Sequence, residues 1–142
     1  MTTVAFDGKT LASDTLSCWG TTPSYRTKIW NTPKNKKWKA IGISGNTYNV
    51  LPIADYICGR TTKKPEQFET DGMLMLVDKY NKLWMMNGQQ VPVEAPVPFA
   101  MGSGGDFALG AMAAGKTAAE AVAIAATLDV NTGGKIDEIK IA

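Results

Sequence analysis

The sequence contains no histidine, and that absence removes most of the usual hydrolytic and metal chemistry. Ser-His-Asp triads and Cys-His pairs are excluded outright, and zinc or iron sites lose their commonest ligand. Cysteine is scarce. Cys18 and Cys58 lie far apart with no C-x-x-C spacing, so they suggest neither a metal site nor a disulfide framework, and they fit a reducing compartment. Net charge is small as well. A formal +2 does not imply a nucleic-acid partner, and the clusters Lys34, Lys36, Lys37, Lys39 and Lys63, Lys64 read as solvated loops. No apolar run approaches the roughly 18 residues of a membrane span, and no basic-then-apolar leader opens the chain. The expectation is a cytoplasmic protein with no membrane contact, no cofactor and no metal.

What is present is enough for one domain, residues 1–142, with a sizeable core. Residues 2–6 read as a strand, Asp7-Gly8 as a tight turn, and 10–14 as the partner strand, which sets Thr2 and Asp14 on paired strands. Residues 16–25, with Gly20 and Pro23, read as irregular. A second strand pair follows at 27–31 and 38–44. The spacing of Val50, Leu51, Ile53, Ala54 and Ile57 predicts a helix over 47–58, and the polar stretch 59–70 reads as loop. Asp71 opens a second block, with a hairpin formed by 73–77 and 83–86. Pro92, Pro96 and Pro98 make the next segment extended, up to Phe99-Ala100-Met101. Helix formers fill 106–114, and Thr117 with Glu120 signals a capping box for a helix reaching about Leu128. A last strand alternates over 136–141. Locally joined strand pairs and helices grouped in blocks predict an α+β fold, antiparallel sheets with helices on the outer faces.

One motif competes for attention. Gly110-Ala111-Met112-Ala113-Ala114-Gly115-Lys116-Thr117 matches the G-x-x-x-x-G-K-[ST] phosphate loop letter for letter. A working loop of that kind bends between a strand and a helix, whereas residues 106–114 are helix formers throughout. A helix stop at Gly115 and a cap at Thr117 explain the same letters.

The opening Met1-Thr2-Thr3-Val4-Ala5-Phe6 offers chemistry that needs no histidine. By itself it is an ordinary β-branched strand. Loss of Met1 would leave Thr2 with a hydroxyl and an amine on adjacent carbons. An α-amino group titrates near pH 8, so at neutral pH enough of it is unprotonated to take the hydroxyl proton.

Further along stand Asp14 in Leu11-Ala12-Ser13-Asp14, Lys28 in Thr27-Lys28-Ile29, and Gly45 in Gly42-Ile43-Ser44-Gly45. Gly102-Ser103-Gly104-Gly105 and Asp129-Val130-Asn131-Thr132-Gly133-Gly134 follow. In this order, over nearly the whole chain, they resemble the proteasome β-subunits and bacterial HslV, threonine peptidases of the N-terminal nucleophile (Ntn) hydrolase class. The resemblance implies an αββα sandwich of two antiparallel sheets. It makes Thr2 the nucleophile, its amine the base, Lys28 a charge beside it, and Asp14 the partner that holds Lys28. The Gly45 N–H would form the oxyanion hole, and Ser103, Asp129 and Thr132 would bond around the terminal threonine. Ile43 and Thr47 would line a medium-sized apolar pocket for substrate.

The implied partners are a peptide or unfolded-protein substrate, a homo-oligomeric ring and an ATPase unfoldase. One departure bears on the last two. Between Gly45 and Asp71 there is room for one helix and a loop where the family usually has two substantial helices, and small proteasome-like chains of this sort also resemble members carried in bacteriophage genomes. If Met1 is retained, the amine sits on the wrong residue. The alternative is then a catalytically silent structural or assembly protein of the same fold.

Overall fold

The computed structural model describes residues 2–69 and 72–142; Met1, on whose removal the reading turns, and Asp71, the expected start of the second block, lie outside them. β1 (Val4–Phe6) and β2 (Thr10–Ser13) form the expected hairpin, with Val4 opposite Ser13. Their pairing runs on past β2, because the Asp14 N–H donates to the Thr3 carbonyl at 3.2 Å. Thr3, rather than Thr2, therefore lies opposite Asp14. The turn is held by Asp7, whose Oδ1 accepts the Lys9 and Thr10 N–H groups at 2.9 and 2.8 Å.

The segment expected to be irregular is instead a second hairpin, β3 (Leu16–Trp19) and β4 (Thr22–Tyr25), turning at Gly20-Thr21. Pro23 hid it. In a two-stranded ribbon each strand keeps one edge without a ladder partner, and a proline is tolerated where its missing N–H faces that edge.

Then come β5 (Ile29–Asn31), β6 (Trp38–Ser44) and α1 (Thr47–Cys58). The Asn46 side chain caps α1 by accepting the Tyr48 N–H at 3.0 Å. Val50, Ile53 and Ala54 form its buried stripe against Ile41, Ile43, Leu74 and Leu76. β7 (Met73–Asp78) and β8 (Leu83–Met86) are the expected hairpin, and the proline-rich extension contributes β9 (Val93–Ala95). β10 (Phe99–Met101) leads into α2 (Gly105–Ala113), then α3 (Ala118–Leu128) and β11 (Asp137–Lys140). Gly110 to Ala113 are inside α2, so the phosphate-loop letters do not form a phosphate loop.

Apart from the β3–β4 ribbon, the strands make two antiparallel sheets, in the order β10-β1-β2-β11 and β5-β6-β7-β8-β9. Alternation along β1 and β2 decides what lies between them. Val4, Phe6 and Leu11 point inward, where they meet Ile29, Ala40, Met75, Val77 and Leu83 of the other sheet. Ala5 and Ala12 point outward and, with Ala100, let α2 and α3 pack close through Ala108, Ala118, Ala121 and Ala125. Burying each large side chain of the inner layer stabilises the sandwich by about 1.5–3 kcal/mol. Helix α1 covers the outer face of the second sheet, completing an αββα order.

Helix α3 is fixed at both ends. Thr117 Oγ1 accepts the Glu120 N–H at 3.2 Å while the Glu120 carboxylate accepts the Thr117 N–H at 3.0 Å, the expected capping box. Asp7, at the β1–β2 turn, also accepts the Ala118 N–H at 2.8 Å. The C-terminal cap of α3 is Asp129, which the helix thus delivers close to the residues that lead into β1.

Candidate functional site

Asp14 is almost fully buried, and a buried carboxylate has to be met by donors. Three are present. Lys28 Nζ reaches Oδ1 at 2.8 Å, the Thr3 N–H reaches the same oxygen at 3.1 Å, and the Gly133 N–H reaches Oδ2 at 3.1 Å. Lys28 also donates to the Leu16 carbonyl at 2.6 Å, so β3, the unexpected hairpin, helps to hold it. Burial pushes the Lys28 ammonium below the usual lysine value; Asp14 works against that shift and nearby Arg26 adds to it.

On the other side of Thr2 a chain of hydrogen bonds runs through one carboxylate. Asp129 Oδ2 accepts from Ser103 Oγ at 2.6 Å and from Thr132 Oγ1 at 2.7 Å. Each hydroxyl has one proton, so both are now committed. Ser103 must accept from the Thr2 nitrogen, at 3.1 Å, and Thr132 must accept from the Thr3 hydroxyl, at 2.8 Å. Burial alone would raise the Asp129 carboxyl, but the bonds from Ser103, Thr132 and the Asn131 N–H outweigh it and hold the group below the usual carboxylate value.

Thr2 and Thr3 are thus gripped from two sides, and the grip depends on close backbone approach. Gly102 has φ +93°, and a Cβ there would overlap the Thr2 carbonyl oxygen and stand 2.6 Å from its carbon. A Cβ on Gly104 would overlap Thr3 Oγ1. Side chains at either position would push the Gly-Ser-Gly-Gly turn away and carry Ser103 out of reach of Thr2.

A small cavity opens beside Thr2, lined also by Lys28, Ile43, Gly45, Thr47, Ser17 and Arg26. Gly45, with φ +92°, follows β6 and leaves its backbone exposed at the rim. Through Gly45, Thr47, Ser17, Cys18 and Arg26 this cavity adjoins a larger one of about 770 Å³ that runs between the β3–β4 hairpin and α1. The fold therefore brings Thr2, Lys28, Gly45, Ile43 and Thr47 to one opening, with Asp14 behind Lys28 and Ser103, Asp129 and Thr132 behind Thr2. The wall is mixed rather than apolar, because Arg26 and Lys28 share it.

Sequence reasoning passed over Thr3, whose hydroxyl extends the Thr132 bond, and Arg26, whose Nη1 donates to Thr47 Oγ1 at 3.0 Å. Its nearest signal was the pairing of two β-branched hydroxyl residues at the start of the chain. Nothing in the local pattern points to Arg26, because the hairpin that carries it was not recognised.

Two antiparallel sheets between helix layers, with two buried threonines leading into β1, define the proteasome-like Ntn-hydrolase fold. Comparison with solved structures agrees across nearly the whole chain. BPH from Thiobacillus denitrificans, in complex with epoxomicin, superimposes with a TM-score of 0.74 at 18% identity, covering 99% of this chain and 98% of that one. Eukaryotic HslV from Trypanosoma brucei gives 0.63 at 18% identity, covering 97% of each chain. Anbu from Pseudomonas aeruginosa, solved as a helical assembly, gives 0.69 at 10% identity, covering 99% of this chain and 80% of that one. At these identities the likeness is one of fold. No family profile and no curated protein sequence matches the chain.

Proposed function

We propose that the chain is a threonine-type peptidase that works through an acyl-enzyme on Thr2 after Met1 is removed, the 142 residues acting as one domain. The observation that carries this reading is the convergence on Thr2 and Thr3 of two independently held acids: Asp14, which accepts the Thr3 N–H and pairs with Lys28 at the cavity beside Thr2, and Asp129, reached from the Thr2 nitrogen through Ser103 and from the Thr3 hydroxyl through Thr132. Because Ser103 gives its proton to Asp129, it can only accept from the Thr2 nitrogen, and the lone pair of a terminal amine there is left for the Thr2 hydroxyl proton. The amine takes that proton as Oγ1 attacks the scissile carbonyl carbon. The Gly45 N–H meets the charge on the carbonyl oxygen, and Lys28 keeps the amine neutral. The proton passes to the leaving nitrogen, the C–N bond breaks, and an ester remains on Thr2. Water, deprotonated by the same amine, then cleaves the ester and restores the hydroxyl.

A homo-oligomer enclosing its sites is part of the proposal, supported by the helical assembly in which an Anbu protein was solved. Its substrates are peptides or unfolded proteins in a bacterial or phage-infected cytoplasm, delivered by an ATPase unfoldase where one docks. No helix among the described residues is long and apolar enough to cross a membrane. One observation favours the silent structural alternative: among the described residues, α1 is the single helix on the outer face of the second sheet. Intact mass of the chain from its native host, with peptide hydrolysis by wild type and Thr2→Ala, separates the two. A mass short by one methionine and hydrolysis abolished in a folded, assembled Thr2→Ala variant support the peptidase. Retained Met1, or hydrolysis unchanged by the substitution, rejects it.

A further inference from the structure

Arg26 is placed where a peptide side chain has to go. It follows β4, its backbone N–H is bonded to the Thr15 carbonyl at 2.8 Å, and its guanidinium reaches Thr47 Oγ1 at 3.0 Å across the cavity beside Thr2. The ion pairs among the described residues join Lys28 to Asp14, Arg60 to Asp55 and Lys135 to Asp137, and Arg26 belongs to none of them. Asp55, the acid lining the larger adjoining cavity, is already engaged by Arg60 at 2.7 Å. The start of α1 faces the same space, with no acidic residue in its first turn, so the helix dipole adds positive potential. A guanidinium has five N–H donors, and the bond to Thr47 uses one.

We propose that Arg26 makes this cavity selective for an acidic side chain on the acyl side of the scissile bond, so that the protein cleaves after Asp or Glu. The proposal rests on the peptidase reading of Thr2. Geometry fixes which substrate residue is meant. With the attacked carbonyl between Thr2 Oγ1 and the Gly45 N–H, the side chain one carbon away falls into the cavity that those two residues share. An apolar side chain there would cover a guanidinium and give the donors not used by Thr47 no partner, which is costly. A carboxylate can instead take a forked pair of N–H donors from Arg26, while Ile43 packs against its methylenes. Lys28 is not the discriminating cation, since Asp14 and the Leu16 carbonyl already occupy two of its three donors.

The test uses full-length protein with Met1 removed and fluorogenic peptide amides that differ only in Glu, Gln or Leu at the acyl position. In parallel, Thr2→Ala protein is titrated with fluorescein-labelled peptides ending in Glu or Gln. The expected result is a kcat/KM at least about tenfold higher for Glu than for Gln, and a matching preference in binding. Arg26→Met should bring both ratios close to one, and Arg26→Glu should invert them. Hydrolysis with no preference for Glu overturns the proposal while leaving the peptidase reading intact. Preferential binding of the Glu-ended peptide without hydrolysis of any substrate rejects the peptidase reading and the cleavage that rests on it, leaving only the acid selectivity of the cavity. Equal binding of the two peptides with no hydrolysis removes both.

Discussion

The Asp14–Lys28 pair gives the sharpest energetic prediction. Its side chains are 1% and 4% exposed and 2.8 Å apart, so neither charge can turn to water when the other is removed. In Asp14→Asn the amide must point its NH2 either at the Gly133 N–H or at Lys28 and the Thr3 N–H, and both choices set donor against donor. The ammonium is left uncompensated in the interior. Losing one partner of a buried pair costs about 3–5 kcal/mol, which for a chain of this size lowers the melting temperature by roughly 10–17 °C. Lys28→Met should cost a similar amount, because it strands the carboxylate.

Replacing both should cost much less than the sum, since the double variant buries no charge, and the coupling should exceed about 1.5 kcal/mol. Urea unfolding of the four proteins measures this, provided the slopes agree so that midpoints report stability. A loss below about 1 kcal/mol in Asp14→Asn, or costs that simply add in the double variant, would refute the reasoning.

Three further outcomes follow from the site. Gly102→Ala combines a left-handed φ with overlap on the Thr2 carbonyl and should destabilise by more than about 2 kcal/mol while abolishing hydrolysis; a melting temperature near wild type would show that the turn can shift. Thr132→Val removes a donor that holds Asp129 below the usual carboxylate value, so it should cost about 1 kcal/mol at pH 7. Because the folded value is the lower one, that contribution is present above the unfolded pKa and is lost as pH falls through the folded pKa; an equal difference between variant and wild type at pH 7 and pH 3 contradicts it. Last, kcat/KM should rise about tenfold per pH unit below the amine pKa, which Lys28 holds below the ordinary α-amino value near 8, and then level. In Lys28→Met, with a nearby positive charge gone, that limb should move to higher pH, and an unmoved limb would mean that Lys28 does not act on the amine.

How much of this was legible in the chain depended on the reach of each interaction. Helix α1 was read to its bounds because Asn46, the stripe Val50-Ile53-Ala54 and Gly59 are all local signals. The Thr117–Glu120 box and the β7–β8 hairpin were equally local. The β3–β4 hairpin was missed because Gly20 and Pro23 break a strand pattern that a two-stranded ribbon tolerates. Missing it hid Arg26 and the Leu16 carbonyl that holds Lys28. Sheet order lay beyond local reading as well. That β10 pairs with β1, and that β11 pairs with β2, depends on partners roughly two-thirds of the chain or more apart. The candidate site residues were found through a family likeness in their order, while the reason for Gly102 and Gly104, the nearness of Thr2 and Thr3, is visible only once the strands are assembled.

The burial of Thr2 and Thr3 has a consequence for timing. Thr2 is 5% exposed and Thr3 has no exposed surface, so a trimming enzyme that must grip Thr2 finds that residue already enclosed in the finished fold. What closes over Thr2 is the turn after β10, which ends at Met101, so the closure cannot happen until that part of the chain has left the ribosome. At about 5–20 residues per second, that leaves a window on the order of 5–20 s. On the proposed mechanism, whether a given molecule becomes an enzyme is decided during its synthesis, in a race between an aminopeptidase and the arrival of β10.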